Sequence, residues 1–597
     1  MSDVRFAAKT PLVQIHLPDD RTLEGPRGVT VGELLRPIAD ALPAPLVGAV
    51  INGELFELTK PVTMEARVQP VTMADADGAR IYRRSLTFIL EVAFSDLFPG
   101  ASLYIDHSLS SGGYYCSVQG RGPLTVGELQ RIEAEMRRLV GLDLPFGGRE
   151  TPVADAIAQF ESRGFDDKTL LLRRRRKPTI TLYRIGQHVD YHHGFMVPST
   201  GYLQWFGLVA LNGGFALRFP RRHAPTTVAP MVDNPQLVGA FRQYGNWMER
   251  LGIQNVGALD EAILAGRSRE IILVSEALHE QHIAAIARQI ADRSAGARLV
   301  LISGPSSSGK TTFSRRLAVQ LLSQGLSPFA LELDHYFLGH DRTPKDASGQ
   351  FDFETIHALD LAQLGDHLGR LLSGAEVQLP RFNFQAGRQE PGDTVRLQPG
   401  QLIILEGIHG LNPQLISAEL AAQSFKVYAS ALTQLNLDRH NRISTTDTRL
   451  IRRIVRDARE RGYSATQTIA RWESVRRGEK RHIFPHQENA DAMFNSALAY
   501  ELSVLRPLAE PLLRQVEHGT PEWIEARRLL SFIEWFLPVE ADAVPDNSIL
   551  REFVGGSNLQ NFKVWGAWTQ PKESGRLAPN MLPNPEAPPA PGRPDSR

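Results

Sequence analysis

A chain of 597 residues is too long for one hydrophobic core, and three or four domains is the natural expectation. Hydrophobic residues make up 42% and charged residues 22%, and 66 basic side chains are matched by 66 acidic ones. That is an ordinary globular composition, without a global field to draw the chain to nucleic acid or a membrane surface. Cys116 is the only cysteine, which excludes intrachain disulfides and any multi-thiolate metal site.

In chain order, Met1 to Thr10 lacks the apolar core of a signal peptide, and no apolar run reaches spanning length, so a cytoplasmic protein without membrane partners is expected. Residues 11–74 read as a small α+β module of ubiquitin-like size. Val13-Gln-Ile-His-Leu17 alternates as a strand, Thr30 caps a helix, and the strand from Val47 breaks at Asn52-Gly53. A second unit, 75–225, has a helix near Leu86 to Leu97 and strands around Leu103, Tyr114 and Ile180. Residues 226–296 form a helix-rich connector and 297–510 an α/β unit. A helical extension, 511–560, contains a helix capped by Thr520 with Pro521 at its first position. The proline-rich tail 571–597 is expected to be disordered.

The chemistry concentrates in the α/β unit. A buried strand, Arg298 to Ser303, runs into Gly304, Pro305, Ser306, Ser307, Ser308, Gly309, Lys310, Thr311 and Thr312, and a helix follows to Leu322. This is G-x-x-x-x-G-K-[ST] in its strand-to-helix context. Backbone N–H groups and the helix start wrap the phosphates, Lys310 adds a mobile charge, and Thr311 places a hydroxyl at the metal. ATP and Mg²⁺ are therefore the expected cofactors. A second strand, Pro328 to Leu333, ends at Asp334, where a carboxylate faces the ligand crevice and can accept a proton from an attacking hydroxyl. A third, Leu402 to Leu405, ends at Glu406, the expected acid of the Mg²⁺ shell. Arg449, Arg452, Arg453, Arg456 and Arg459 recur at helical spacing, so some can reach the triphosphate as a lid while others pair with Asp447, Asp457 and Glu460 on a solvated face. No Asn-Lys-x-Asp element follows the third strand, which argues against a GTPase.

Residues 298 to about 505 resemble the uridine kinase and phosphoribulokinase branch of P-loop kinases. The resemblance is carried by the phosphate loop, Asp334-His-Tyr-Phe337, Phe351-Asp-Phe-Glu354, Glu406-Gly-Ile408 and the run from Asp447 to Asp457. It implies that Asp334 activates the acceptor hydroxyl, that Glu354 takes the place of a ribose-holding Asp, and that Arg453, Arg456 and Arg461 are lid arginines. Lys310 joins these as catalytic, and Asp334, Tyr336, Glu354, Phe382 and Arg453 are the implied substrate contacts. The base-reading positions depart from the uridine kinase pattern. Phe382 lacks a tyrosine hydroxyl, Gln385 to Arg388 hold no histidine, Tyr463 replaces an arginine, and Arg471 replaces a glutamine. Phosphorylation of a nucleoside-type 5′-hydroxyl is implied, but uridine itself is not. Another small hydroxyl metabolite is the same-class rival.

Residues 11 to 222 resemble the N-terminal region of threonyl-tRNA synthetase: its TGS domain, then its editing domain through Gly113-Tyr-Tyr115, Leu124 to Leu129 and Thr181 to Asp190. The His-x-x-x-His pair of that family falls on Arg84 and Phe88, and its Cys-x-x-x-His pair on His192 and Met196. His192 alone supports neither metal binding nor general-base hydrolysis; His193 and His107 read as satisfied surface or core residues. The basic run Arg173 to Lys177 could contact RNA phosphates, which would suit an ATP-switched RNA-binding protein. A charge-protected loop or strand edge explains it at least as well, and no aromatics are interleaved with it. The N-terminal half is thus expected to be a retained scaffold for ligand sensing, docking or homo-oligomerisation. The segment Ser548 to Ser557 is expected to be a packing strap on the kinase unit.

Overall fold

The computed structural model describes residues 10–293, 298–345, 349–383, 386–560 and 562. Its first module is a mixed five-stranded sheet in the order Thr22–Pro26, Leu12–His16, Ala66–Thr72, Leu46–Ile51, Glu54–Phe56. Thr30 and Glu33 form a reciprocal capping box at the start of helix Val31–Ala39, whose Val31, Leu34, Leu35 and Ile38 seal the sheet. Asn52 and Gly53 both take positive φ, 50° and 85°, as a tight two-residue hairpin turn requires.

The second unit carries a helix twice the expected length, Ala76–Leu97. Its first half, with Arg80, Arg83 and Arg84, breaks the apolar pattern. The charges are absorbed by partners instead: Arg80 pairs with its helix neighbour Asp77 and with distant Glu525, and Arg84 donates to the carbonyl of Phe195. This helix lies among two antiparallel sheets, Gly207–Leu211, Gly214–Arg218, Tyr114–Gln119, Ser102–Ser108 and His188–Asp190, Thr179–Ile185, Gly147–Pro152.

In the α/β unit five strands lie parallel in the order Pro328–Glu332, Leu402–Glu406, Leu299–Ser303, Ser424–Ser430, Ala492–Asn495. The central strand is buried along its whole length, which is why its sequence is continuously apolar rather than alternating. Helices Pro235–Leu251, Val256–Leu264 and Ser268–Asp292 bind this sheet to the rest of the chain, and Arg316 of the phosphate-loop helix bridges to Glu276 and Glu280. One hydrophobic core runs from Ala156 and Phe160 through the connector helices and Val300, Phe313 and Leu317 to Phe553. The boundary drawn from sequence near residue 225 therefore has one shared core on both sides of it. Among the described residues no helix is long and apolar enough to cross a membrane. The tail 571–597, expected to be disordered, lies outside the described residues.

Candidate active site

Strand Leu299–Ser303 delivers the chain into the phosphate loop at the carboxyl edge of the parallel sheet. At Gly304 a Cβ would fall 1.9 Å from the carbonyl oxygen of Ala429, so the loop can pass there only as glycine. Ser307 at φ 57° and Gly309 at φ 83° turn the backbone sharply, and helix Lys310–Ser323 starts at once with its first N–H groups facing the loop. Lys310 Nζ lies 3.3 Å from the Pro305 carbonyl and 4.0 Å from Glu406 Oε1, curled over the loop. Thr311 Oγ1 donates to Glu406 Oε2 at 3.3 Å.

Two neighbouring strands supply the acids. Glu406 ends its strand in register with Ile302 on one side and Glu332 on the other, which puts all three strand ends at one crevice. Burial drives the Glu406 carboxyl up to about 8 against the pull of Lys310, and Glu332, Asp334 and Glu552 push the same way. Asp334 is exposed in the 3₁₀ turn Leu333–Tyr336 just beyond Glu332. Glu406 and the Thr311 hydroxyl beside the Lys310 ammonium, with Glu332, Asp334 and Glu552 near enough to raise Glu406, make an oxygen-rich, anionic donor set of the kind a hard cation takes, and the residues fit Mg²⁺ held by Thr311 and Glu406. Glu354 is likewise pushed up to about 8, by burial and then Glu479, against Arg453 and Lys310. Its Oε2 is buried without a hydrogen-bond partner.

The arginines divide on helix Thr445–Glu460. Arg453 reaches the loop, donating to Ser306 Oγ at 3.0 Å, and also meets Asp457. Arg456 and Arg461 converge on the same Asp457, at 2.8 and 3.6 Å. Asp447 turns away from them to Arg528, at 2.7 Å. The two most buried arginines support the loop from beneath. Arg449 donates to the Ser306 carbonyl at 2.9 Å and to Glu479, while Arg452 holds the Ser307 and Ser496 carbonyls and Glu501. Glu479, which also accepts from Ser306 N–H at 3.2 Å, was not singled out from sequence; its only signal there is an acid three residues after Arg476 in a basic run.

The model of the Phosphoribulokinase / Uridine kinase family matches residues 299–502. Those residues form a kinase domain of that family. The N-terminal region is homologous to threonine–tRNA ligases. The Symbiobacterium thermophilum protein is 31% identical over 205 residues, 34% of this chain and 31% of its own length. That of Geobacter sp. strain M21 is 32% identical over 203 residues, 34% and 32% of the two chains. The chain thus spans about a third of the length of these curated relatives. A solved structure, "a Possible Uridine Kinase from Bacillus stearothermophilus", is 18% identical, covers 35% of this chain and 100% of its own, and has a TM-score of 0.22, too low to carry an argument.

Two expected substrate contacts of the kinase domain sit inward. Tyr336 is fully buried with its hydroxyl on His367 Nδ1 at 3.1 Å, so it offers the crevice no donor. Phe382 packs edge-on to Phe337 in the same core. The strap expected at 548–557 does pack on the kinase domain, directly over the phosphate loop. Ile549 Cγ2 lies 2.5 Å from where a Cβ on Gly309 would stand. Glu552 Oε2 accepts from Thr312 N–H at 3.2 Å and from Thr312 Oγ1 at 2.9 Å. A carboxylate therefore occupies the anion-binding start of the loop helix, a contact the sequence did not reveal.

In the N-terminal half, four of the five residues of the basic run are engaged. Arg173 pairs with Glu161, Arg174 with Glu261 and Lys177 with Glu534, and Arg175 donates to the Thr179 carbonyl. His107 is buried between Tyr115 and Phe241 but, contrary to expectation, neither ring nitrogen has a partner. His193 is satisfied by the Tyr191 hydroxyl at 2.9 Å. His192 does not stand alone: Glu91 and Asp190 are buried with it. Burial holds its imidazole well below the usual range, so the ring is neutral and keeps a lone pair.

Proposed function

We propose that this chain transfers the γ-phosphoryl group of ATP, with Mg²⁺, to a hydroxyl of a small nucleoside-like acceptor. One observation carries the reading: the phosphate loop, Glu406 and the Asp334 turn share the carboxyl edge of adjacent parallel strands, where open α/β sheets bind their ligands. Lys310 and the loop N–H groups hold the β- and γ-phosphates, and Thr311 and Glu406 hold the metal, which when bound neutralises charge on the phosphates. Asp334, exposed to the crevice, orients the acceptor hydroxyl and takes its proton. Arg453, bonded to the loop at Ser306, is placed to balance charge that develops on the transferred group. Arg449 and Arg452 act through the loop carbonyls, so they position the cradle and do not touch the substrate.

On the acceptor side Glu354, half-buried near Arg453, is the polar contact, and Tyr336 and Phe382 stiffen the wall behind it. The departures at Phe382, Tyr463 and Arg471 remove the hydrogen-bond set that would read uracil. A screen of nucleosides, sugar phosphates and pantothenate-like alcohols with radiolabelled ATP should yield one nucleoside-class product. Asp334→Asn should bind ATP as the wild type does and lose about 10²–10⁴-fold in turnover. Full activity in that variant would strike Asp334 from the mechanism. Labelled product only with a non-nucleoside alcohol would move the acceptor class. The rival reading as an ATP-switched RNA binder is disfavoured because the basic run 173–177 is largely spent on internal partners.

A further inference from the structure

We propose that Glu91, Asp190 and His192 bind a divalent cation of the zinc class where the kinase domain meets the N-terminal half. One ligand atom from each of the three lies within 4.8 Å of the others, and all three side chains are buried. His192 Nε2 stands 3.3 Å from Glu91 Oε2 and has no hydrogen-bond partner. The Glu91 carboxyl is also hydrogen-bonded to Asp190, so His192 Nε2 is the atom left unpaired, and a buried nitrogen without a partner asks for an occupant. That one separation matches the edge of a tetrahedron built on bonds of ~2.0 Å, about 3.3 Å, and the other distances in the cluster stay within 4.8 Å.

Charged groups pack around the three residues, and Asp190 keeps only its remaining lone pairs for a cation. Asp190 Oδ1 takes the Lys168 ammonium at 2.8 Å and the Tyr191 N–H at 2.6 Å. Lys168 is also held by Asp438 Oδ1 at 3.2 Å and the Tyr191 carbonyl at 3.4 Å. Arg163 donates to the Val189 carbonyl. His440 Nδ1 lies 2.8 Å from Asp190 Oδ2 and 3.2 Å from Glu91 Oε2, where it orients both carboxylates from behind, as outer partners of metal ligands do. One imidazole and two carboxylates are donors that zinc takes, with a water completing the tetrahedron as fourth ligand. Magnesium and calcium keep several waters or need six or more oxygens.

The ligand set belongs to this chain. Of the four positions Arg84, Phe88, His192 and Met196, only His192 carries a donor that zinc takes. Arg84 is spent on the Phe195 carbonyl, Met196 accepts from Ser85 Oγ, and the Phe88 ring packs 4.9 Å from His192. Glu91 is one turn beyond Phe88 on helix Ala76–Leu97, so the helix regains there the ligand it lacks at 84 and 88. His440 comes from the loop between strand Ser424–Ser430 and the arginine helix, and its neighbours fasten that loop to the N-terminal half. Arg439 grips Asp167 at 2.7 Å, Asn441 Nδ2 donates to the Tyr191 carbonyl at 2.9 Å, and Asn436 Nδ2 donates to the Ile105 carbonyl at 3.1 Å. The cation is structural, tightening a seam that leads directly into Arg449, Arg452 and Arg453.

The test uses the full chain, purified without a polyhistidine tag or chelator from zinc-supplemented cells. Elemental analysis after gel filtration should find one equivalent of zinc, and stripping it should lower the melting temperature until zinc is restored. Glu91→Gln and His192→Phe should lose the metal, whereas His192→Cys should keep it, because a thiolate ligates zinc. Cobalt in place of zinc should give the intense visible absorption of a tetrahedral site. If the wild type carries no metal, and neither zinc nor a chelator moves its melting temperature, the cluster is a hydrogen-bonded latch and the proposal is wrong. That outcome needs no variant to fold.

Discussion

Glu354 shows how one residue joins stability to binding. Its carboxyl is raised from the ordinary 4.5 to about 8 by burial and by Glu479. Between those two values the folded chain holds a proton that the unfolded chain has released, so this group's contribution to stability falls as pH rises through the window. Glu354→Gln keeps the shape and cannot ionise. Its stability relative to wild type should be flat near pH 4 and gain on the order of 1–3 kcal/mol by pH 8. The full linkage would be about 1.4 kcal/mol per pH unit, and it is discounted because the side chain is only partly covered. Denaturant titrations at several pH values check this, and parallel profiles for the two proteins would mean that Glu354 is ionised throughout. On the proposed function, in which Glu354 contacts the acceptor, the same variant should weaken acceptor binding more than ATP binding.

Among the elements, the strap carrying Glu552 has the most direct bearing on nucleotide binding. Its carboxylate sits on the Thr312 N–H and hydroxyl at the start of the phosphate-loop helix, where a phosphate would compete for the same donors. The strap is fastened at one end by Ser548 Oγ on Glu276 at 2.5 Å and at the other by Arg459 on the Glu552 carbonyl at 3.1 Å. Removing the charge in Glu552→Gln should therefore tighten ATP by about 2- to 10-fold, given roughly 0.3–1 kcal/mol for an exposed anion at a helix start and more when partly buried. Equilibrium binding of ATP to both proteins decides it; unchanged or weaker binding would show that the carboxylate does not compete. What the sequence revealed and hid follows the same physics. The phosphate loop, the three strands around it, the capping threonines Thr30 and Thr520 and the Asn-Gly turn were legible because each is encoded by contiguous residues. The first half of helix Ala76–Leu97, the inward turn of Tyr336 and the Glu552 contact were not. Each depends on partners far along the chain, as Arg80 depends on Glu525 and Tyr336 on His367. The arginine helix was half legible: its periodicity was plain, but only the fold separates Arg449 and Arg452, under the loop, from Arg456 and Arg461 on Asp457.

At the scale of the molecule, the shared core makes the kinase domain depend on what precedes it. Ile271, Ile272, Ile283, Ile286, Ala287 and Ile290 of helix Ser268–Asp292 lie in the same apolar cluster as Val300, Phe313 and Leu317. Five buried isoleucines at about 1.5–3 kcal/mol each amount to roughly 10 kcal/mol, comparable to the whole stability of an ordinary domain. A fragment that begins at residue 298, the edge of the family match, should consequently be insoluble or molten. A fragment that begins at 235 and keeps all three connector helices should fold, but melt below the full chain. It lacks Phe160, Leu171 and Leu172 from the same core and the Asp167–Arg439 pair at the seam. Soluble yield and thermal melts of the two fragments beside the full chain test this. If the fragment from 298 folds cooperatively with the full chain's melting temperature, the connector and the N-terminal half are passengers rather than part of the kinase's own core. A single cooperative transition in the full chain, lowered by Arg439→Ala at a site distant from the phosphate loop, would instead show the two halves unfolding as one body.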